Sequence, residues 1–250
     1  MHDQALRRLW SYRPFYRQYP YDRPVHIQAA DRHGAVDCQY GFFYNRIPKC
    51  ANSTIVQTLV TCSGVIGPGA GREAKRAFMK PHALPAGLMA AFRNEWFKFT
   101  FVRNPYARLL SAYLDKIVRK GYAHRRRYRA LLEPGKDATS PPSLDRFLDF
   151  LAAEGLYANV HWAPQTAMLL IPEADFDFIG KVESLDKDLA FVLQRIFPDH
   201  PGGEDRKIGR AGPPPTGAQD KVHTMLNRRQ MDRIAQLYER DITALGYAFM

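Results

Sequence analysis

Cysteine is scarce in this 250-residue sequence: there are three, Cys38, Cys50 and Cys62, an odd number with no Cys-x-x-Cys pair. That count argues against a disulfide framework and leads us to expect a reducing, cytoplasmic compartment. No apolar run is long enough for a membrane-spanning helix, and no apolar core follows the N-terminus as in a secretory signal. No internal repeat is visible, and no cluster of His, Cys, Asp or Glu has metal-ligand spacing, so no metal is expected. Acidic residues are outnumbered, 25 against 36 Lys and Arg, which leaves a net charge of +11 and a pI near 9.7. Such a balance implies a polyanionic partner: a nucleotide, an acidic glycan, nucleic acid or a membrane surface touched peripherally. With 46% hydrophobic residues the chain can bury one sizeable core, so one domain is the default.

What is present begins with GFFYNRIPKCANSTIVQTLVTC, from Gly41 to Cys62. Phe42, Phe43, Tyr44 and Ile47 read as a short buried strand, and Pro48 stops it. Ser53 and Thr54 are residues of N-cap type, and Ile55, Val56, Leu59 and Val60 then repeat at helical spacing up to Ser63-Gly64. A strand, a tight loop with Lys49 and a helix start with two hydroxyls form a good anion site. An ordinary βα turn with a surface lysine reads the same stretch equally well. A Walker loop is missing, because the lysine precedes the hydroxyls and no glycines are spaced before it.

WFKFTFVRNPYARLLSAYLDKIVRK, from Trp96 to Lys120, repeats the plan. Phe97, Phe99 and Phe101 alternate with Lys98, Thr100 and Val102, Arg103 ends the strand, and Asn104-Pro105 turns into a helix. Ligands of open α/β sheets lie beyond the carboxyl ends of strands, where Arg103 sits, and Ser111 follows two turns into the helix. A guanidinium and a hydroxyl there suit one phosphate. Tyr113 is expected in the core.

PKCANST is similar to the 5′-phosphosulfate loop of sulfotransferases that use 3′-phosphoadenosine 5′-phosphosulfate (PAPS), and FVRNPYARLLSAY resembles their 3′-phosphate-binding strand and helix. The likeness is greatest to the carbohydrate sulfotransferase family 2 group and covers roughly residues 40–250. HWAPQ, His161 to Gln165, the segment FIGKVESLDKDLAFVL and the ending LYERDITALGYAF match further elements of that group. The resemblance implies that Lys49, Cys50, Ala51, Asn52, Ser53 and Thr54 bind the 5′-phosphosulfate. It assigns the 3′-phosphate to Arg103 and Ser111, with a looser match for Lys207 and Arg210 in a basic loop. Asn52 departs from the small residue of the family pattern. His161 and Trp162 are candidates for the acceptor cleft, with packing as the alternative role of this element. A general base is required, and an imidazole suits it. His82 lies between the two motifs at a spacing similar to a catalytic histidine of the hexuronyl 2-O branch, with His161 and Glu73 as alternatives.

The expected architecture is α/β, a parallel sheet of P-loop type flanked by helices in a single domain over residues 41–250, with residues 1–40 as an N-terminal arm. Residues 177–182 read as a further strand, Ser143 as a helix cap, and residues 220–245 as one amphipathic segment. The basic run at 125–129 is a solvated helix face or a dock for an acidic acceptor. The expected activity is cytosolic transfer of a sulfuryl group from PAPS, with PAP as product, to a hydroxyl or, less readily, an amine. The acceptor is expected to be a saccharide, itself anionic in one reading, with no stable nucleic-acid partner and no metal. A P-loop kinase and a basic nucleic-acid-binding module are the rivals; neither explains two strand–anion–helix motifs in series.

Overall fold

The computed structural model describes residues 2–64, 73–119, 141–199 and 216–250. Its sheet has four strands in the order β1 (Gly34–Asp37), β2 (Phe42–Asn45), β3 (Phe97–Val102), β4 (Phe178–Lys181). β2, β3 and β4 run parallel, with Tyr44 opposite Phe99 and Phe101 opposite Gly180. β1 is antiparallel to β2 and pairs Gly34 with Asn45, so the sheet is mostly rather than wholly parallel.

β3 is buried along its whole length, as a strand with both faces covered must be. Its alternating pattern therefore does not mark a wet face. Lys98 is buried, donates to the Trp96 carbonyl at 2.9 Å and lies 3.3 Å from the Asp177 carboxylate. Aromatic rings fill the layer around it: Tyr44 stacks on Phe99 with centroids 4.8 Å apart.

Six helices lead up to and follow the first three strands: α1 (His2–Trp10), α2 (Pro14–Gln18), α3 (Ile27–Asp31), α4 (Asn52–Cys62), α5 (Met89–Asn94) and α6 (Pro105–Ala112). The chain divides into two compact units, Met1–Val102 with Ala167–Pro213 and Arg103–Thr166 with Pro214–Met250. In the first, Ile55, Val56, Leu59 and Val60 of α4 pack with Phe42, Tyr44 and Phe99, and Leu189, Val192, Leu193 and Ile196 of the helix Leu185–Ile196 join the same core. Each such side chain contributes about 1.5–3 kcal/mol when fully buried.

Residues 1–40 do not lie on the surface as an arm. Phe15, Tyr16, Val25 and Ile27 are buried, Phe15 meets Phe43 and Phe92, and β1 widens the sheet. Three short helices joined by turns carry these residues, so no single period runs through them.

The second unit is helical. Tyr106, Leu109, Leu110, Tyr113 and Ile117 pack with Phe147, Leu148, Trp162, Ile234, Tyr238 and Ile242. Ser143 caps the helix Leu144–Phe150 as expected, its Oγ accepting from the Arg146 amide. The amphipathic segment at 220–245 is folded as the three helices Ala218–Met225, Arg228–Leu237 and Glu239–Ala244. Asn227 starts the second of these with a capping box to Gln230, which ends the first run. Among the described residues no helix is long and apolar enough to cross a membrane.

Candidate active site

Asn45 closes β2 and pins the end of that strand. Its carboxamide donates to the Met168 carbonyl at 3.2 Å and accepts from the Leu170 amide at 2.7 Å. Past Asn45 the chain bends hard: Lys49 has φ 71° and Ala51 φ 51°. Each left-handed non-glycine residue costs about 1–2 kcal/mol, and such strain collects at functional loops. The bends bring the N-cap of α4 to Ala51 rather than to Ser53 or Thr54, which instead occupy its first turn. Ala51 offers no capping oxygen to the amides of that turn. Amides at a helix start and the positive end of the helix dipole are groups able to hold an anion. Lys49, Asn52 and Ser53 are partly exposed, and Cys50 is buried beneath the bend. The Asn52 Oδ1 is buried with no hydrogen-bond partner.

His82 reaches the same edge of the sheet by a different route. Met79 pairs with Val36 on the outer side of β1, through two backbone hydrogen bonds of 3.0 and 3.1 Å. The chain then turns through the 3-10 segment Pro81–Ala83. Pro81 lies against Gly34, where a Cβ would meet the proline ring at 2.3 Å. Gly34 pairs with Asn45, so this turn sits at the carboxyl end of β2, from which the Lys49 loop also leaves. The His82 ring is 35% exposed, and its Nδ1 lies 2.7 Å from Asp31 Oδ2. Glu73, the third candidate base, is exposed ahead of a short 3-10 turn.

Arg103 follows β3 and belongs with Ser111 to the second unit. Asn104 caps α6, its side chain accepting from the Tyr106 and Ala107 amides, and Pro105 takes the first helical position. Gln165 of the HWAPQ stretch grips the Arg103 backbone on both sides, accepting from its amide at 2.9 Å and donating to its carbonyl at 2.8 Å. Asp241 in turn holds the Gln165 and Thr166 amides at 2.6 and 2.9 Å. Ser111 is buried on α6, and Thr216 donates to its Oγ at 3.2 Å. Arg108, one turn below, is spent on the Ala163 and Val160 carbonyls.

Trp162 is not a cleft residue. It is 0% exposed, donates through Nε1 to the Gly155 carbonyl and packs against Phe147 and Phe150. His161 is partly exposed, its Nδ1 2.8 Å from the Asn159 side chain. Lys207, Arg210 and the basic run at 125–129 lie outside the described residues. Among the described residues no group of three or more His, Cys, Asp or Glu side chains is placed to share a metal ion. Sequence reading missed Asp31, Gln165, Thr216 and Asp241. The last three act through neighbours distant in the chain; Asp31 belongs to the aperiodic N-terminal stretch.

The general family model for sulfotransferases matches residues 32–248. This chain belongs to the sulfotransferase family. Among curated relatives, it is 32% identical to carbohydrate sulfotransferase 14 of mouse over 197 residues, which is 71% of this chain and 50% of that protein. The human carbohydrate sulfotransferase 14 matches to the same degree. Human carbohydrate sulfotransferase 8 is 32% identical over 174 residues, 60% of this chain and 39% of that protein. This family member thus spans about half the length of the first two relatives. No solved structure gives a significant match.

Proposed function

We propose that this chain transfers the sulfuryl group of PAPS to a hydroxyl of a saccharide, releasing PAP. One observation carries the reading: a strained helix start with Lys49 and a turn bearing His82 leave the same edge of the first unit's sheet. The relatives' names support a carbohydrate acceptor, and the net charge of +11 favours an anionic one. The small, odd number of cysteines, three with no Cys-x-x-Cys pair, keeps a cytoplasmic setting as our proposal.

In this reading the amides from Ala51 to Thr54, with the hydroxyls of Ser53 and Thr54, hold the 5′-phosphate. Lys49 stabilises the charge that grows on the bridging oxygen as it leaves. Arg103 and Ser111 take the 3′-phosphate, and Lys207 and Arg210 are assigned to it by resemblance. The transfer is loose and in line, so positioning and charge stabilisation supply most of the rate. His82 accepts the proton of the attacking hydroxyl. A sulfuryl group carries less negative charge than a phosphoryl group, so this scheme uses no metal.

Calorimetric titration with PAP, 5′-AMP and ATP tests the nucleotide assignment. PAP is expected to bind far more tightly than the other two. Loss of a charge-assisted contact costs about 1.5–3 kcal/mol, so Arg103→Ala should weaken PAP by roughly 10- to 150-fold and leave 5′-AMP nearly unchanged. Equal affinity for PAP and 5′-AMP would sink the reading, and tight magnesium-dependent ATP binding would favour a kinase.

A further inference from the structure

The surroundings of His82 are more ordered than a surface histidine requires. Asp31 ends α3, its side chain is 2% exposed, and its two oxygens meet three polar groups. Oδ1 accepts from the Tyr16 hydroxyl at 3.0 Å and from the His82 amide at 2.9 Å, while Oδ2 faces His82 Nδ1 at 2.7 Å. Trp10 stacks on the imidazole with centroids 4.8 Å apart and planes 8° from parallel. Trp10 also lies over Tyr16, at 5.6 Å. Its helix, α1, is tied down by Arg7, whose guanidinium donates to the Tyr21, Arg23 and Val25 carbonyls. Burial first, and then the charge of Asp31, push the Tyr16 phenol pKa up, so it stays a neutral donor. Lys80 also feels Asp31; burial and then Arg46 push its ammonium down to about 8, and Asp31 opposes them.

We infer that Asp31 is the positioning residue of the base, holding His82 in the tautomer with its proton on Nδ1 so that the Nε2 lone pair faces the acceptor. The inference deepens the sulfotransferase reading and rests on it. An ionised carboxylate only accepts hydrogen bonds, so the nitrogen it faces is the one that carries hydrogen. The partner of one ring nitrogen decides the state of the other. The backbone bond from His82 to the same carboxylate and the Trp10 stack together fix the ring's plane. Nε2 makes no hydrogen bond among the described residues. In the transfer, the acceptor hydroxyl forms its bond to sulfur while its proton moves to Nε2. The bond from sulfur to the 5′-phosphate oxygen breaks, and its electron pair leaves with PAP. His82 then gives the proton to solvent.

Nitrogen NMR of ¹⁵N-histidine-labelled protein in alkaline buffer, with His82 assigned by its loss in His82→Ala, reads the tautomer directly. The native ring is expected to carry hydrogen on Nδ1 and the lone pair on Nε2. In Asp31→Asn the carboxamide can donate to Nδ1, and the two nitrogens should exchange roles. Sulfate transfer from radiolabelled PAPS to uronic-acid-containing oligosaccharides should then fall about 10²–10⁴-fold, with PAP affinity unchanged. A native ring protonated on Nε2, or an Asp31→Asn protein that keeps the native tautomer, overturns the inference. Should Asp31→Asn not fold, the native spectrum alone decides. Failure here with PAP binding intact leaves the nucleotide reading standing, whereas failure to bind PAP removes both.

Discussion

Ala51 holds φ 51° without being glycine, and its methyl group packs only partly buried against the core of the first unit. The left-handed region costs a non-glycine residue about 1–2 kcal/mol, and glycine gives back roughly 0.5–1 kcal/mol of that in lost chain entropy. Ala51→Gly should therefore stabilise the fold by up to about 1 kcal/mol in urea unfolding while leaving PAP affinity close to native. A destabilised variant would mean that the methyl group packs more than it strains. Trp162 teaches the opposite lesson. Beside His161 it reads equally as a cleft residue or a packing one, and its ring closes the core between Phe147 and Phe150. Residue type alone could not separate the two roles, because a tryptophan serves equally well in either.

The element that carries His82 to the carboxyl end of β2 is the turn Pro81–Ala83. Its place depends on one close approach: Gly34 leaves room for the Pro81 ring, which a Cβ would strike at 2.3 Å. A proline ring cannot swing away as a long side chain would, so Gly34→Ala must move the turn or the strand. Overpacking of this kind costs about 1–3 kcal/mol. Under the proposed function, Gly34→Ala is expected to lower sulfate transfer while PAP affinity stays close to native. Native turnover in this variant would show that His82 tolerates a displaced turn and is not the base. β2, α4, β3 and α6 were legible because each carries a period that one element satisfies. The antiparallel β1 and the turn beside it were not, since a four-residue strand and a three-residue turn have too few positions to show a period.

For the molecule as a whole, charge and burial set the response to pH. His33 donates through Nδ1 to the Ala29 carbonyl at 2.7 Å, and burial first, then Arg46, push its pKa from 6.5 down to about 4. Between those values the unfolded chain binds a proton that the folded chain does not, so stability rises with pH across the window; below it the cost is fully present. Urea unfolding followed from pH 4 to 6.5 should show that rise, and His33→Gln should flatten part of it. An identical slope in both proteins would remove His33 from the account. The sequence by itself determined the two strand–loop–helix segments and the class of fold, because these depend on local periods and on residues at element ends. Tertiary structure alone decided that Trp162 is core, that the N-terminal residues belong to the first unit, and that Asp31, 51 residues before His82, meets it. Contacts of that kind arise from pairing across a sheet and from the closing of a core, and neither leaves a period in the chain.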